Sequence, residues 1–442
     1  MAQLFPFRAY RYNQSKSDPA RVLTQPYDKI TPAMQQRYLA ASPYNLVTVE
    51  KGPAQENDST SNNVYTRAAQ ALTDWIAKQV LMQDPQPSFY AYFQEFQAPG
   101  TANQFVRKGL IALGQLVDYS AGVVFRHEQT LSGPKADRLE LMRHTRVNTG
   151  QLFMLYDDPA RRMDAILDGV VKTRADMDMR DEFGVIHYLW RIADPATIAA
   201  IQSEMADKKI VIADGHHRYE TALAYRDEER AKRGGANPDA PYERAMMTLV
   251  NSHDEGLTIL PTHRVLSGLA IFDAAELRNC LKGVFEVREV PLTGSASQRG
   301  TQAQKALATA GESGRAIGMY AGGDQLTLLS LKSNENLASA LSNVSPLQRE
   351  LDVVLLHNFI LEKCLGITPE SVRKEANIRY EREASLAISA VSEGRAQASF
   401  LLNPVRVEQV IRIALAGEVM PQKSTDFYPK MLSGIAIYRL EP

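Results

Sequence analysis

Apolar positions follow two different spacings along the chain, and this predicts that helices and strands are mixed. Residues 64–82 place apolar side chains on one helical face, which is typical of an amphipathic helix. Residues 88–97 alternate aromatic and polar side chains, and an apolar run at 105–117 follows a PGTANQ turn. We therefore predict a helix followed by an antiparallel pair of strands.

The same patterning continues to the end of the chain. A helix is predicted over 195–205, and a second over 346–366, where apolar residues dominate. Residues 397–418 indicate a strand followed by a helix. Beyond about Leu269 the loops become rich in glycine and serine. We expect a mixed α/β chain of the α+β class, with one domain over 1–268 and a C-terminal α/β domain over 269–442. The final loop and strand of the second domain could pack back on the first.

Composition narrows the classes of partner. The 442 residues carry a formal net charge of −1, which gives no reason to expect nucleic acid or a membrane surface as partner. No apolar run approaches the roughly 18 residues of a membrane span, and the first residues do not resemble a signal peptide. We expect a cytoplasmic protein, for which a homodimer is one possible state. Cys280 and Cys364 lack a CxxC spacing and are expected to be buried free thiols.

The segment IVIADGHHRYETA, residues 210–222, holds the strongest candidate site. Its β-branched start predicts a buried strand, and the residues from Tyr219 on predict a helix. Gly215 between them allows a tight turn. The first amides of a helix lack intrahelical partners and attract anions. His216, His217 and Arg218 add side-chain donors, so the turn is predicted to bind phosphate.

Two other interpretations of this turn stay open. It could be a structural turn whose polar groups are satisfied locally. It could also bind a transition metal through Asp214, His216 and His217, although neighbouring helical side chains diverge by about 100° and chelate one ion poorly. In the phosphate-binding interpretation, Asp214 could instead hold Mg²⁺ against the phosphates.

A second candidate cluster lies in HEQTLSGPKADR, residues 127–138. It begins with His127. Glu128 could act as the general base that accepts a hydroxyl proton. Lys135 and Arg138 could neutralise developing charge on a phosphate. The alternative is a charged helix N-terminus with no catalytic part.

Three further segments contain candidate substrate or secondary residues. Polar loops after buried strands often carry function, but polar caps and turns would give the same composition. No glycine-rich cradle precedes Lys423, so that segment is not a Walker motif. The candidates are Asn251, His253, Asp254, Thr262, His263, Arg264, Lys423, Ser424, Thr425, Lys430 and, in PYDKI, Asp28.

Taken together, these segments resemble a bacterial and archaeal family known as domain of unknown function 1015. The resemblance covers nearly the whole chain and rests on the PYDKI, HEQTLSGPKADRLELMRHTR, DGHHRYETA, NSHDEGLTILPTHRVL and MPQKSTDFYPK segments. The DGHHR segment also resembles the superfamily of ParB nucleotide-binding domains, sulfiredoxin and the free serine kinases. That resemblance implies a ParB/sulfiredoxin-like core with large insertions. It further implies that Gly215, His216, His217 and Arg218 bind nucleotide phosphates.

The resemblance implies a kinase that uses ATP or ADP, with Mg²⁺, to phosphorylate the hydroxyl of free serine or a similar metabolite. Glu128 is then the expected base, with Asp28 in reserve, and Asp214 and His217 are further expected catalytic residues. Two alternatives remain from the residues alone. One is a nucleotide-binding regulatory module without kinase activity, and the other is a metal-dependent phosphoester hydrolase.

Overall fold

A computed structural model describes residues 2–128, 133–333 and 337–441. Helices and strands alternate through all three ranges, so the predicted α+β class is confirmed. The chain forms two compact units: the first comprises residues 1–126, 130–258 and 428–442, and the second comprises 127–129 and 259–427. The domain boundary near residue 268 stays a prediction. Part of the HEQTLSGPKADR segment, residues 129–132, lies outside the described ranges.

The first unit is built on a large, mainly antiparallel sheet. Within the described part of the chain it has nine strands, in the order β6-β11-β8-β12-β5-β4-β10-β9 with β1 beside β5. Two pairings, β11 with β6 and β12 with β8, are parallel. The strands of the whole chain are β1 (Leu4–Phe5), β2 (Tyr10–Tyr12), β3 (Leu81–Gln83), β4 (Phe89–Gln97), β5 (Gln104–Gln115), β6 (Val124–Phe125), β7 (Val147–Asn148), β8 (Leu152–Tyr156), β9 (Met177–Arg180), β10 (Ile186–Ile192), β11 (Ile210–Asp214), β12 (Arg244–Asn251), β13 (Thr258–Leu260), β14 (His263–Leu266), β15 (Phe285–Pro291), β16 (Ala316–Tyr320), β17 (Gln325–Leu331), β18 (Ile378–Glu381), β19 (Ala398–Leu402), β20 (Asp426–Tyr428) and β21 (Tyr438–Arg439).

Helices cover this sheet and form the core with it. Apolar side chains of β4, β5, β8, β11 and β12 pack with those of helices on both sides of the candidate turn. The helices of the whole chain are α1 (Pro19–Val22), α2 (Pro32–Ala41), α3 (Val47–Glu50), α4 (Val64–Ala77), α5 (Gly133–Thr145), α6 (Arg162–Val170), α7 (Pro195–Met205), α8 (His216–Arg233), α9 (Ala274–Leu281), α10 (Ala296–Ser313), α11 (Leu337–Ala340), α12 (Asp352–Leu355), α13 (Pro369–Arg373), α14 (Ala384–Ser392) and α15 (Val407–Leu415).

The second unit has its own sheet and core. Its described strands run in the order β15-β17-β16-β19-β14-β18, and every pairing is antiparallel. Helices α10 and α14 pack their buried alanines and leucines against β16, β17 and β19. Because β19 leads directly into α15 through residues 403–406, polar loop residues gather at this end of the sheet.

Two expectations for the second unit are wrong. The single helix predicted over 346–366 is instead α12, which begins at Asp352, continued by a π-helix over Leu356–Cys364. Cys280 and Cys364 are not free thiols but form a disulfide between α9 and the π-helix. The spacing argument failed because 84 residues separate the two cysteines, and only packing of the two helices brings them together.

Among the described residues, no helix combines the length and the apolar character of a membrane span.

Candidate functional site

The predicted strand, turn and helix at residues 210–222 are present in the first unit. β11 is buried up to Ala213, Gly215 has a φ of 97°, and α8 begins at His216. This backbone conformation favours glycine. A side chain at Gly215 would also meet Arg218, because its Cβ would lie 3.1 Å from both Nε and Nη2 of that arginine. The Arg218 side chain therefore folds back across the turn.

Among the described residues, Arg218 forms one side-chain hydrogen bond, and the rest of its guanidinium has no partner. Its Nη1 donates to the backbone oxygen of Gln151. Within the described ranges, Nε and Nη2 have no hydrogen-bond partner, and no carboxylate lies within 4 Å. The side chain is half-buried, so this arginine has not turned into the core. A guanidinium with unpaired donors at a helix N-terminus suits bidentate binding of phosphate or carboxylate.

Three cationic side chains lie near the Asp214 carboxylate. Its Oδ2 lies 3.1 Å from Nζ of Lys430. Burial raises the pKa of this carboxyl, but Lys430, Arg218 and Lys29 together outweigh burial and hold the pKa well below its usual range. Asp214 is therefore ionised at neutral pH. Three cations therefore lie near this one carboxylate, and such a group of cations favours a bound anion.

Exchanging Lys430 for methionine should make the stability depend on pH in a defined way. A carboxyl with a lowered folded-state pKa stabilises the fold above its unfolded pKa of about 4, and this contribution is lost as the pH falls towards the folded value. The variant raises the folded-state pKa of Asp214, so its free energy of unfolding should fall by about 1–2 kcal/mol at pH 7. The loss should keep this size down to the folded-state pKa of Asp214 in the variant and should shrink only below that pKa, where the carboxyl becomes protonated.

Urea unfolding at pH 7 and pH 3 measures this effect. Lys108→Met is the matched control, because its partner Asp168 has a side chain that is 50% exposed and such exposed pairs contribute little. A loss for Lys430→Met at pH 7 that is no larger than the loss for Lys108→Met would show that the contact with Asp214 does not stabilise the fold.

Buried polar side chains fix the backbone around Lys430. Arg107 is fully buried, and its Nη1 donates to the backbone oxygen of Tyr428 at 3.0 Å. Its Nη2 donates to the backbone oxygen of Pro429. Gln94 accepts from Arg107 and donates to the backbone oxygen of Lys430 at 2.9 Å. These contacts hold Lys430 where it meets Asp214.

A small cavity lies beside Arg218. It has a volume of about 60 Å³, and its polar wall includes Tyr27, Glu50, Arg138 and Thr149. Glu50 is buried, accepts from Thr149 and lies 3.3 Å from Nη1 of Arg138. Arg138 in turn covers the Tyr27 ring at 4.3 Å. A site for a whole small molecule usually exceeds about 300 Å³, so this cavity has room for a single small group.

Several other predicted residues meet in the second unit. The Nε2 atom of His127 lies 2.9 Å from the hydroxyl of Thr425, and the Lys423 amide donates to Glu128 at 3.4 Å. Nη2 of Arg264 donates to the backbone oxygen of Lys423 at 3.1 Å. Residues predicted from three separate motifs therefore form one cluster that contains a carboxylate, an imidazole and a hydroxyl.

Three neighbours of this cluster have mainly structural contacts. His263 is buried, its Nδ1 accepts from the Leu402 amide at 3.2 Å, and burial lowers its pKa to about 3. The Thr262 backbone oxygen accepts from Arg264. Ser424 is buried and donates to a carbonyl three residues before it.

The loop after β12, in the first unit, is held by contacts with neighbouring segments. Asn251 is fully buried and donates to the backbone oxygen of Asp158 at 2.8 Å. His253 lies 2.8 Å from Asp157 at the surface. Asp254 accepts from two backbone amides, and burial raises its pKa to about 6. The described contacts of these three residues lie within the loop and its immediate neighbours.

The remaining predicted residues have varied environments. Lys135 forms an ion pair with Glu220 at 3.0 Å and does not line the cavity, whereas Arg138 does. His216 is buried and His217 is half-buried, both in the first turn of α8. Asp28 is exposed in a 3-10 turn.

Sequence comparison identifies the family. The family described as "protein of unknown function (DUF1015)" matches residues 4–354. The chain belongs to this family. No curated protein sequence matches it.

Several solved structures are similar to this DUF1015 chain. A conserved hypothetical protein from Pyrococcus furiosus has 15% identity and a TM-score of 0.36, with 75% of this chain and 95% of that one covered. A free serine kinase in complex with AMP has 16% identity and a TM-score of 0.36, with 75% and 92% covered. SbnI with a C-terminal truncation from Staphylococcus aureus has 11% identity and a TM-score of 0.33, with 73% and 85% covered. These values are too low to transfer the activity of those proteins to this one.

Sequence reasoning missed Lys29 and Glu50 in the site of this DUF1015 protein, whereas Lys430 was among its candidates. Lys29, Glu50 and Lys430 lie far from Asp214 in the chain, and only the fold brings them near Arg218. Lys29 and Lys430 belong to the PYDKI and FYPK motifs, so motif membership was an available signal for both. Among the described residues, no group of three or more His, Cys, Asp or Glu side chains could hold a metal, so the metal-dependent hydrolase gains no support.

Proposed function

We propose that the chain is a kinase that binds a nucleotide by its phosphates at the turn of residues 214–218 and phosphorylates the hydroxyl of a small metabolite, with free serine as the first candidate. The observation that carries the proposal is the Arg218 guanidinium, whose Nε and Nη2 have no partner within the described ranges. It lies at the N-terminus of the 18-residue helix α8.

Phosphoryl transfer suits a site of this kind. It needs anchored phosphates, neutralised charge and an aligned hydroxyl more than it needs covalent chemistry from the protein. Gly215 lets a phosphate approach the backbone amides of the turn. Arg218 and the two lysines near Asp214 neutralise the negative charge of the phosphate oxygens.

The expected cofactors are ATP or ADP with Mg²⁺. Protein sites hold Mg²⁺ through one or two carboxylates together with substrate phosphates. Asp214 fits that donor set as the one ionised carboxylate at the turn, although it would have to exchange its contact with Lys430 at 3.1 Å. The ion would supply charge neutralisation, while Arg218 orients the phosphates.

Glu128 is the proposed general base. Its carboxylate can accept a hydroxyl proton, and it accepts the Lys423 amide at 3.4 Å in a cluster that also contains His127 and Thr425. The acceptor, free serine, is suggested by the resemblance of the DGHHR segment to the free serine kinases.

A nucleotide screen followed by a transfer assay tests the function. A ligand that binds only the folded state raises the unfolding midpoint, so ATP, ADP and AMP with and without Mg²⁺ identify the bound nucleotide. The protein is then incubated with serine and the nucleotide labelled on its terminal phosphate, and phosphoserine is measured by mass spectrometry.

Three outcomes are informative. Labelled phosphoserine supports the kinase, and Glu128→Gln should then keep nucleotide affinity while product formation falls by about 100-fold or more. Nucleotide binding without transfer to serine or related hydroxyl compounds would favour the regulatory module. No midpoint shift with any nucleotide would contradict the proposal as a whole.

A further inference from the structure

A second cleft lies wholly within the second unit, where β19 leads into α15. It has a volume of about 790 Å³, within the range of about 300–1,000 Å³ that small-molecule sites occupy. Its wall includes Arg264, Arg315, Asp352 and Arg406. Of these, only Arg264 was singled out from the sequence.

The three arginines of the cleft form no ion pair with a carboxylate of the described residues. Within the described ranges, no carboxylate oxygen lies within 4 Å of the guanidinium of Arg264, Arg315 or Arg406. By contrast, arginines at the surface of this unit form ion pairs, such as Arg395 with Glu393 at 2.6 Å. Three guanidiniums that form no ion pair within the described ranges lie around one cleft, and this favours a bound anion.

Arg264 makes the strongest case, because it is 1% exposed. Burial lowers its pKa to about 10, so it stays charged at neutral pH. Its two Nη atoms donate to backbone carbonyls, whereas Nε is buried without a partner. The nearby imidazoles of His263 and His357 are neutral, since burial lowers the pKa of each to about 3. Glu128 is near enough for its attraction to oppose the lowering of the Arg264 pKa, but it forms no ion pair with Arg264 within 4 Å. A buried charge without a close counter-ion is costly, and a bound anion would reduce that cost.

The carboxylates of the cleft do not balance this charge. Burial raises the pKa of Asp352 to about 7 despite the nearby Arg315 and Arg406, so this group is only partly ionised at neutral pH. Glu350 is paired with Arg412 at 3.2 Å, and Glu312 is the other carboxylate of the described wall. Three arginines therefore outnumber Glu312 and the partly ionised Asp352 near pH 7.

We propose that this cleft is a binding site for a small metabolite that carries a phosphate or carboxylate group, with Arg315 and Arg406 binding the oxyanion at the mouth and Arg264 attracting it from within. The proposal does not depend on the kinase activity. Arginine suits this task because its planar donors match both kinds of oxyanion.

Calorimetric titration of the full chain tests the site. The probes are inorganic phosphate and succinate, which separate the two kinds of oxyanion, each compared with chloride at equal ionic strength. At least one probe should bind, and Arg315→Gln and Arg406→Gln should each weaken binding about tenfold or more, since each removes a charge-assisted hydrogen bond. Arg406 is exposed, so its variant should fold.

Two control variants decide between sites. Arg395→Gln removes a surface arginine outside the cleft and should leave probe affinity unchanged. Arg218→Ala removes the proposed phosphate-binding arginine of the turn of residues 214–218 and so separates binding at the turn from binding in the cleft. Binding that is lost in Arg218→Ala but kept in Arg406→Gln would overturn the proposal, as would the absence of binding for both probes.

Discussion

Replacing Arg218 with alanine is expected to weaken nucleotide binding by about 10- to 100-fold, because a hydrogen bond to a charged group contributes about 1.5–3 kcal/mol and each 1.4 kcal/mol is tenfold in affinity. The structure gives the reason for choosing this residue. Nε and Nη2 of Arg218 have no partner within the described ranges, and Nη1 has one. Binding of a phosphate would satisfy donors for which the described part of the chain provides no partner. Calorimetry with the nucleotide found in the midpoint screen measures the change.

Two variants of the same helix make the result specific. Arg233→Ala removes an arginine from the last turn of α8, where its side chain is 53% exposed and paired with Glu229, so nucleotide affinity should not change. Arg218→Lys keeps the charge but loses the planar donors and should fall between the wild type and alanine. The unfolding midpoint without nucleotide shows whether Arg218→Ala folds. A folded alanine variant with wild-type affinity would remove the main support for the proposed function.

The strand, turn and helix that carry Arg218 could be predicted because their signals are local. The β-branched run of β11, the glycine and the helical pattern of α8 lie next to one another in the sequence. The same holds for α7, whose bounds, Pro195–Met205, match the prediction. There the Asp194 side chain caps the Thr197 amide at 2.8 Å, and proline at the first position fits a helix start.

The helix predicted over 346–366 shows where the sequence pattern stops being sufficient. Apolar residues fill the stretch so densely that the period is weakly defined. The pattern therefore does not reveal that the helix begins only at Asp352 or that its backbone continues as a π-helix over Leu356–Cys364. Packing against other elements decides both features, and the disulfide from Cys364 to Cys280 depends on the same packing.

The charges around Asp214 could be predicted only in part. The sequence indicates that the turn contains an acid and an arginine, but it does not show that Lys29 and Lys430 join them. Those lysines are brought near by long-range contacts, and Lys430 depends on Arg107 in β5. A charged residue within an apolar strand was the one sequence signal for that support, since charged residues are rarely buried without partners.

Replacing Arg107 with leucine is expected to lower the free energy of unfolding by about 3–5 kcal/mol, as is usual when one member of a buried polar network is removed. The variant leaves the backbone oxygens of Tyr428 and Pro429 buried without their donor, together with the side-chain oxygen of Gln94. In the wild type, the Arg107 guanidinium also covers the Phe153 ring at 4.8 Å, and the variant loses this contact as well. Urea unfolding of the two proteins measures the difference.

The same substitution should reach the nucleotide site, because Arg107 holds the segment that carries Lys430. We expect a folded Arg107→Leu variant to bind nucleotide more weakly than the wild type, although Arg107 is fully buried and itself need not touch the ligand. Lys108→Met is the matched control. Lys108 is the next residue of β5, and its side chain pairs with the exposed Asp168 at 2.6 Å. A loss of less than about 1 kcal/mol in Arg107→Leu, comparable to an exposed pair, would show that these buried hydrogen bonds do not fix the segment. Lys430 would then owe its position near Asp214 to other contacts.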